Sequence, residues 1–313
     1  MSKYIFFLIV LLGMGNLSAQ QLPLRTSFTS NSFVWNPAMA APESYWEMNI
    51  THRKEWTGFE DAPSTTLAAI QYPLLKQHIA IGGYFMNDNI NPIKMNSLGG
   101  TFTYKLEMGK HRNILSLGIL AVVNHFFVDG TNIQVLDPGD NTIPAAENTA
   151  FTPNVGFGIY YTTNPIAYQR KNLFYFGLAA NQLIPSSLKF DNSNLTGSLA
   201  DFKRVVHANA MVGGRIYYGK DLTIEPVFWM NYSATNLYNA HLNVKLEKID
   251  GFWFALDFAS NQTLAFQIGT VYKKGLIKDG AIRMGLQGAL NLGSLANVTS
   301  LGYEFYMAYR LGL

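Results

Sequence analysis

The feature that most limits how this chain can fold is a period-two alternation of apolar and polar side chains from Val205 to Leu313. Leu242, Val244 and Leu246 alternate with His241, Asn243, Lys245 and Glu247. Phe252, Phe254, Leu256 and Phe258 alternate with Trp253, Ala255 and Asp257, and Ile282, Met284, Leu286, Leu290 and Leu292 with Arg283, Gln287 and Asn291. The closing run sets Leu301, Tyr303, Phe305, Met307, Tyr309, Leu311 and Leu313 against Glu304, Tyr306 and Arg310. Successive side chains of a strand point to opposite faces, so this period predicts strands. Each is about ten residues long with one apolar, aromatic face, the pattern of strands that cross a membrane as a closed barrel.

The rest of the composition agrees. Charged residues make up only 14% of the chain and aromatics another 14%, against roughly 25% charged in a soluble domain. A net charge of +3 without a basic cluster argues against nucleic acid as a partner. The absence of cysteine removes disulfides, thiolate chemistry, Cys-based zinc sites and a lipoprotein anchor. At the N-terminus, Lys3 precedes an apolar run from Ile5 to Leu12, broken by Gly13, Gly15 and Asn16, and Leu17-Ser18-Ala19 ends in a small residue. Residues 1–19 therefore read as a signal peptide cleaved after Ala19, the apolar run being too short to span a bilayer. Export combined with barrel strands implies the outer membrane of a Gram-negative cell.

Residues 20–44 are polar and irregular, and Pro37 and Pro42 exclude a regular strand there. This segment is expected at the periplasmic end or folded back into the barrel mouth as a short plug. Residues 45–313 then form an all-β, antiparallel transmembrane barrel of about 14 strands. The first strand is expected near Tyr45–His52, the sixth at Asn154–Thr163, the eighth at Val205–Tyr218 and the last at Val298–Leu313. Even-numbered connections such as Pro73–Gln77, Gly219–Asp221 and Lys248–Asp250 are short, whereas Arg53–Ser64, Phe126–Pro153 and Leu183–Arg204 are long. Short periplasmic turns and long external loops follow if the N-terminus is periplasmic. The short loop near Asn261 and the longer turn Asn164–Lys171 depart from that rhythm. A soluble β-sandwich would also alternate, but its second face would be charged, whereas here it is Gly, Ala, Asn, Gln and scattered charge.

No catalytic pattern emerges, and an enzyme is not expected. His52, His78, His111, His125, His207 and His241 show no metal-ligand spacing, and His207 and His241 read onto opposite environments or strand ends. A hydrolase would need a Ser–His or Asp–His constellation that spacing alone does not assemble. Glu225, Glu247, Glu304, Arg283, Arg310 and Lys245 point inward, where opposite charges pair or line water. Gly82-Gly83, Gly99-Gly100 and Gly213-Gly214 lie within strands, where glycine relieves crowding. The Asp137–Asn141 stretch lacks the full EF-hand ligand series and reads as a surface turn, so neither metal nor cofactor is expected.

Two stretches carry a resemblance. Trp35-Asn36-Pro37-Ala38-Met39-Ala40 follows the signal peptide, and Arg53-Lys54-Glu55-Trp56-Thr57-Gly58-Phe59-Glu60-Asp61-Ala62-Pro63-Ser64-Thr65 follows the first strand. Together with the closing strand Tyr303–Leu311, they resemble the PorP/SprF-like proteins of the Bacteroidetes type IX secretion system along the whole chain. The residues matching the family motifs are Asn36, Pro37, Ala38, Arg53, Trp56, Gly58, Ala62, Pro63 and Thr65; Asp61 stands where the family more often has Gly. The resemblance implies a non-enzymatic outer-membrane component that helps export or surface-anchor a secreted adhesin, gliding-motility adhesins among them. Its implied partners are that adhesin or its C-terminal sorting domain, other type IX subunits and outer-membrane lipid. In the motif loop, Arg53 stacked on the Trp56 indole beside Pro63 would make either a docking surface or a structural clamp. The alternative is a transporter of hydrophobic small molecules similar to fatty-acid channels. It predicts an apolar pocket near Phe33, Val34 and Trp35 and a lateral opening at a strand kink.

Overall fold

A computed structural model describes residues 28–43, 45–59, 61–109, 113–129, 147–163, 171–185, 187–188, 202–233, 237–273, 280–293 and 301–312. The expected signal peptide and the Asp137–Asn141 turn lie outside them. The strands in chain order are β1 (Tyr45–Lys54), β2 (Ser64–Leu74), β3 (Ile79–Ile90), β4 (Ile93–Met108), β5 (Asn113–Asp129), β6 (Glu147–Thr162) and β7 (Leu173–Asn181). A small hairpin, β8 (Ser187–Leu188) and β9 (Phe202–Lys203), follows. The chain continues with β10 (His207–Tyr218), β11 (Leu222–Ser233), β12 (Leu237–Lys248), β13 (Phe252–Ala259), β14 (Thr263–Tyr272), β15 (Gly280–Asn291) and β16 (Gly302–Gly312). Without the hairpin, 14 strands form one closed antiparallel barrel, sealed where β1 pairs with β16 from Tyr45↔Gly312 to Lys54↔Tyr303.

The period-two pattern sorts the wall as expected. Leu242, Leu256, Phe266, Leu286 and Phe305 face outward, while Asn243, Asp257, Gln267, Gln287 and Glu304 are buried inside. Closure leaves no strand edge in the apolar layer, so every wall amide can be satisfied where no water is available. The wall is uneven in height. The eight residues of β13 run for about 26 Å at 3.3 Å per residue, close to the roughly 25 Å apolar band of such barrels. The 17 residues of β5 reach about twice as far. The excess lies at the loop end, where the outward face of β3–β5 turns polar at Asn87, Lys94, Asn96 and His125.

Some strand limits differ from expectation: β1 runs on to Lys54, and β10 begins at His207 instead of Val205. β6 begins at Glu147 instead of Asn154, because Pro153 sits within the β5–β6 ladder opposite Val123. β6 pairs with β7 only from Phe157 to Thr162. Pro153 thus occupies a stretch with a strand partner on one side among the described residues, where a missing N–H is tolerated. The last strand, β16, begins at Gly302 after Leu301, and residues 298–300 of the expected strand lie outside the described residues.

Glycine and aromatic side chains interlock on the inner wall. A Cβ at Gly213 would stand 2.7 Å from the Tyr175 ring, and one at Gly99 would overlap Tyr84. Gly269 and Gly285 likewise leave room for the Trp253 indole to lie against the sheet. Crowding relief, expected for two of these glycines from sequence, is their role in the fold.

Replacing the outward Leu256 by Arg should destabilise the barrel in lipid by about 2–4 kcal/mol, read as a lower denaturant midpoint for folding into vesicles. Asp257→Arg, on the inner face, should respond instead through loss of its partners His241 and Asn243.

Candidate functional site

The segment before β1 fills the lumen. Ser32–Trp35 form one helical turn, α1, and Pro37–Met39 a 3-10 turn, η1. The fixed φ of Pro37 suits the first position of η1, and the Asn36 side chain caps it, Oδ1 accepting from the Ala38 N–H at 3.0 Å. The other end of the same amide spans two wall strands: Asn36 Nδ2 donates to the carbonyls of Ile159 in β6 (3.0 Å) and Leu178 in β7 (3.3 Å). It reaches the sheet because Gly158 and Gly177 carry no side chain there; a Cβ at Gly177 would stand 2.7 Å from Asn36 Nδ2. Ala38 is seated against Gly118 in the same way.

Further bonds fix the plug on all sides. Thr103 Oγ1 donates to the Pro37 carbonyl at 2.6 Å, Asn181 Nδ2 to the Trp35 carbonyl at 2.6 Å, and the Ala41 N–H to Gln71 Oε1 at 2.8 Å. Apolar packing completes the seal. Phe28 stacks on Trp229 at 5.1 Å, Trp35 meets Trp229 edge-on at 6.1 Å, and Phe33 lies over Gly82 against Tyr84. Phe33, Val34 and Trp35 are therefore buried in packed side chains. The segment expected at an end or mouth of the barrel occupies its interior.

A cavity of about 750 Å³ lies in the lumen toward the turn end. Its wall carries a chain of ion pairs. Arg215 reaches Glu43 at 2.9 Å and Glu225 at 3.4 Å, and Lys245 reaches Glu225 at 3.0 Å and Glu247 at 3.4 Å. Arg283 grips both oxygens of Glu247, at 2.6 and 2.9 Å, and Arg310 pairs with Glu47. Of the inward charges expected from sequence, Glu225, Glu247, Lys245, Arg283 and Arg310 pair, one of the readings left open there, and Arg215, not in that set, joins them. Glu43 and Glu47, which join this network from the plug end and β1, carried no sequence signal.

His207 and His241 correct the sequence reading, since both are buried inside the barrel. His241 also supplies the Asp–His pair that spacing did not assemble: its Nδ1 lies 2.8 Å from Asp257 Oδ1 and its Nε2 3.0 Å from Asn239 Nδ2. Because the Asn239 amide nitrogen only donates, as its amide is oriented here, Nε2 accepts and the imidazole proton sits on Nδ1 facing Asp257. The Ser260 hydroxyl bonds to Asn239 and not to the ring. Phe28 and Trp229 cover the imidazole, so this relay packs the lumen wall. Among the described residues no group of three metal-ligating side chains occurs.

The second motif, apart from Glu60, which lies outside the described residues, forms a loop at the opposite end. The Glu55 N–H bonds to the Pro63 carbonyl at 2.9 Å and closes it. Thr57 anchors it to the Leu301 carbonyl through its hydroxyl, at 2.9 Å, and Asn91 reaches Asp61 Oδ2 at 2.9 Å. Thr65, at the start of β2, donates to Asp88 inside the barrel at 2.6 Å, and Ala62 is buried. Asp61 has φ +47°, a left-handed conformation that favours glycine and that Asp tolerates better than most residues. That explains how Asp serves where the resembled family more often has Gly. Arg53 pairs with Glu55, and Trp56 and Phe59 stand 42% and 46% exposed.

Asn36→Ala should loosen the plug by about 2–3 kcal/mol, since it removes three hydrogen bonds worth roughly 1 kcal/mol each. The readout is faster proteolysis of the plug and a red shift of the buried Trp35 emission, with the barrel still folded. Glu43 adds a pH dependence. Burial alone would raise its pKa, but the Arg215 and Arg310 charges outweigh burial and hold it below the ordinary 4.5. Its contribution is complete above 4.5 and is lost as pH falls through the lowered value. Plug proteolysis should therefore rise below that range in the wild type, and this rise should be smaller in Glu43→Gln.

Solved structures with a similar barrel include a FadL homologue from Pseudomonas aeruginosa, with a TM-score of 0.54 at 11% identity over 93% of this chain and 95% of that one. The monoaromatic hydrocarbon channel CymD aligns with a TM-score of 0.54 at 9% identity over 96% and 98%. The Pseudomonas putida toluene transporter TodX gives 0.51 at 8% identity over 96% of each chain. At these identities the likeness concerns the fold. No curated protein matches the chain significantly. The model of the family described as type IX secretion system membrane protein PorP/SprF matches residues 17–309. With both motif stretches, the plug and nearly all of the barrel inside that match, the chain belongs to the PorP/SprF family of type IX secretion system membrane proteins and is an outer-membrane β-barrel.

Proposed function

We propose that this barrel is a binding component of the secretion apparatus, which helps export a secreted adhesin or anchors it at the cell surface through its C-terminal sorting domain. No bond chemistry is involved. The observation that carries this reading is the ordered β1–β2 loop, held in shape by its own backbone and by Leu301 and Asn91 while it presents Trp56 and Phe59 outward. Exposed aromatics on a pre-shaped loop bind at small entropic cost, and aromatic side chains dominate binding energy at protein interfaces. In this proposal Arg53, Gly58, Ala62, Pro63 and Thr65 shape the loop, while Asn36, Pro37 and Ala38 lock the plug. The chain's residues 1–19 act as the export signal.

The second reading, a channel for hydrophobic molecules, is favoured by one observation: the similar solved barrels include a hydrocarbon channel and a toluene transporter. Against it, the residues around Phe33 and Trp35 are packed, and the lumen cavity is lined by paired charges. An apolar solute would gain little from such a lining.

Affinity capture of the tagged protein from native outer membranes, followed by mass spectrometry, separates the two. The expected outcome is co-recovery of a large multidomain adhesin or type IX subunits, reduced about tenfold or more by Trp56→Ala with Phe59→Ala at unchanged barrel level. A lone barrel that carries bound hydrophobic molecules, and whose uptake activity is abolished by plug variants, would replace this reading with the channel.

A further inference from the structure

The outer wall carries a recess distinct from both the lumen and the motif loop. It has a volume of about 550 Å³ and lies at the turn end of β10–β13, within the roughly 300–1,000 Å³ range of small-molecule sites. Tyr218 and Phe252, 70% and 63% exposed, stand at its sides, with Leu222, Leu246 and Phe254 also lining it. The recess exists because two tight turns meet there. Gly219, with φ +64°, turns β10 into β11, while the Gly251 N–H bonds to the Lys248 carbonyl at 2.9 Å and turns β12 into β13. The Ile249 N–H bonds to the Asp221 carbonyl at 2.7 Å and ties the two turns together. The rims are thus fixed by backbone bonds and do not depend on a ligand.

At the water-side lip the chemistry changes. Lys248, the last residue of β12, faces outward and lines the recess at its turn end, its alkyl stem running beside Gly251. A lysine whose stem lies along apolar surface extends its charge to the headgroup layer. Lys220 follows in the adjacent turn, and Asp221 lines the same lip. A greasy slot of fixed shape with a lysine at its water-side lip matches an acyl chain that carries a phosphate headgroup.

We propose that this recess is a binding site for a glycerophospholipid of the periplasmic leaflet, with an acyl chain between Tyr218 and Phe252 and the phosphate on Lys248. The site differs from the rest of the apolar wall in its recessed shape and in the lysine at its turn-end lip. The site lies on the same strands that carry Arg215, Glu225, Lys245 and Glu247 on their inner face.

Native mass spectrometry of the detergent-purified full chain tests this, with palmitoyl-oleoyl phosphatidylethanolamine and dioleoylglycerol as probes. One phosphatidylethanolamine should stay bound through detergent activation, and dioleoylglycerol, which lacks the phosphate, should not. Lys248→Glu should reduce the retained adduct by about fivefold, the scale of one lysine–phosphate attraction. Tyr218→Ser with Phe252→Ser should reduce it without touching the charge, and Lys94→Glu, outward at the other end of the barrel, should leave it unchanged. Heat-dependent gel mobility confirms that each variant is folded. Equal retention of the two lipids, or equal retention by wild type and Lys248→Glu, would overturn the proposal.

Discussion

Everything in this molecule follows from the need to satisfy backbone hydrogen bonds in a layer without water. A sheet with an edge fails there, so β1 must meet β16, and the strands between must keep one continuous register. That closure fixes which side chains face lipid and which face inward. It also encloses a lumen wide enough to need filling, and the chain fills it with its own N-terminal segment.

The plug and wall are made for each other in a specific way. Seating an irregular backbone against a sheet requires the sheet to lack side chains at the contact and to offer polar partners beside it. Gly118, Gly158 and Gly177 meet the first demand, and the carbonyls of Ile159 and Leu178 with Thr103, Asn181 and Gln71 meet the second. Asn36 is the residue both demands converge on, because one amide both accepts to cap η1 and donates across the β6–β7 seam. That seam pairs over only Phe157–Thr162, so the plug reinforces the wall as well as closing it. The charges deeper in the lumen follow the same logic: each inward Arg or Lys of the turn-end cavity has a carboxylate within reach, since an unpaired buried charge is strongly destabilising.

The same closure leaves the two ends free to differ. Among the described residues, the β10–β11 and β12–β13 reversals at the turn end are tight and tied by backbone bonds, and the loop end rises unevenly on the long strands β4, β5 and β6. The motif loop stands at that loop end, held in shape by Leu301 and Asn91, and this is why its two aromatics can stay exposed without the loop collapsing onto the wall.

The strand count and the facing of most wall residues were legible in the linear pattern, because a period of two projects directly onto the two faces of a sheet. The family likeness was legible from two short motifs and the closing strand. What the pattern could not carry was any contact between residues far apart in sequence. That Asn36 reaches Ile159 and Leu178, that His241 faces Asp257 from the neighbouring strand, and that Glu43 joins Arg215 all depend on which strands become neighbours and in what register. Pro153 misled the reading of β6 because the penalty for proline depends on whether a strand pairs on that side, which only the assembled barrel decides. Alternation along the chain is local and determines the wall; the plug, the ion-pair chain and the buried histidines are cross-strand arrangements, and tertiary closure alone brings them together.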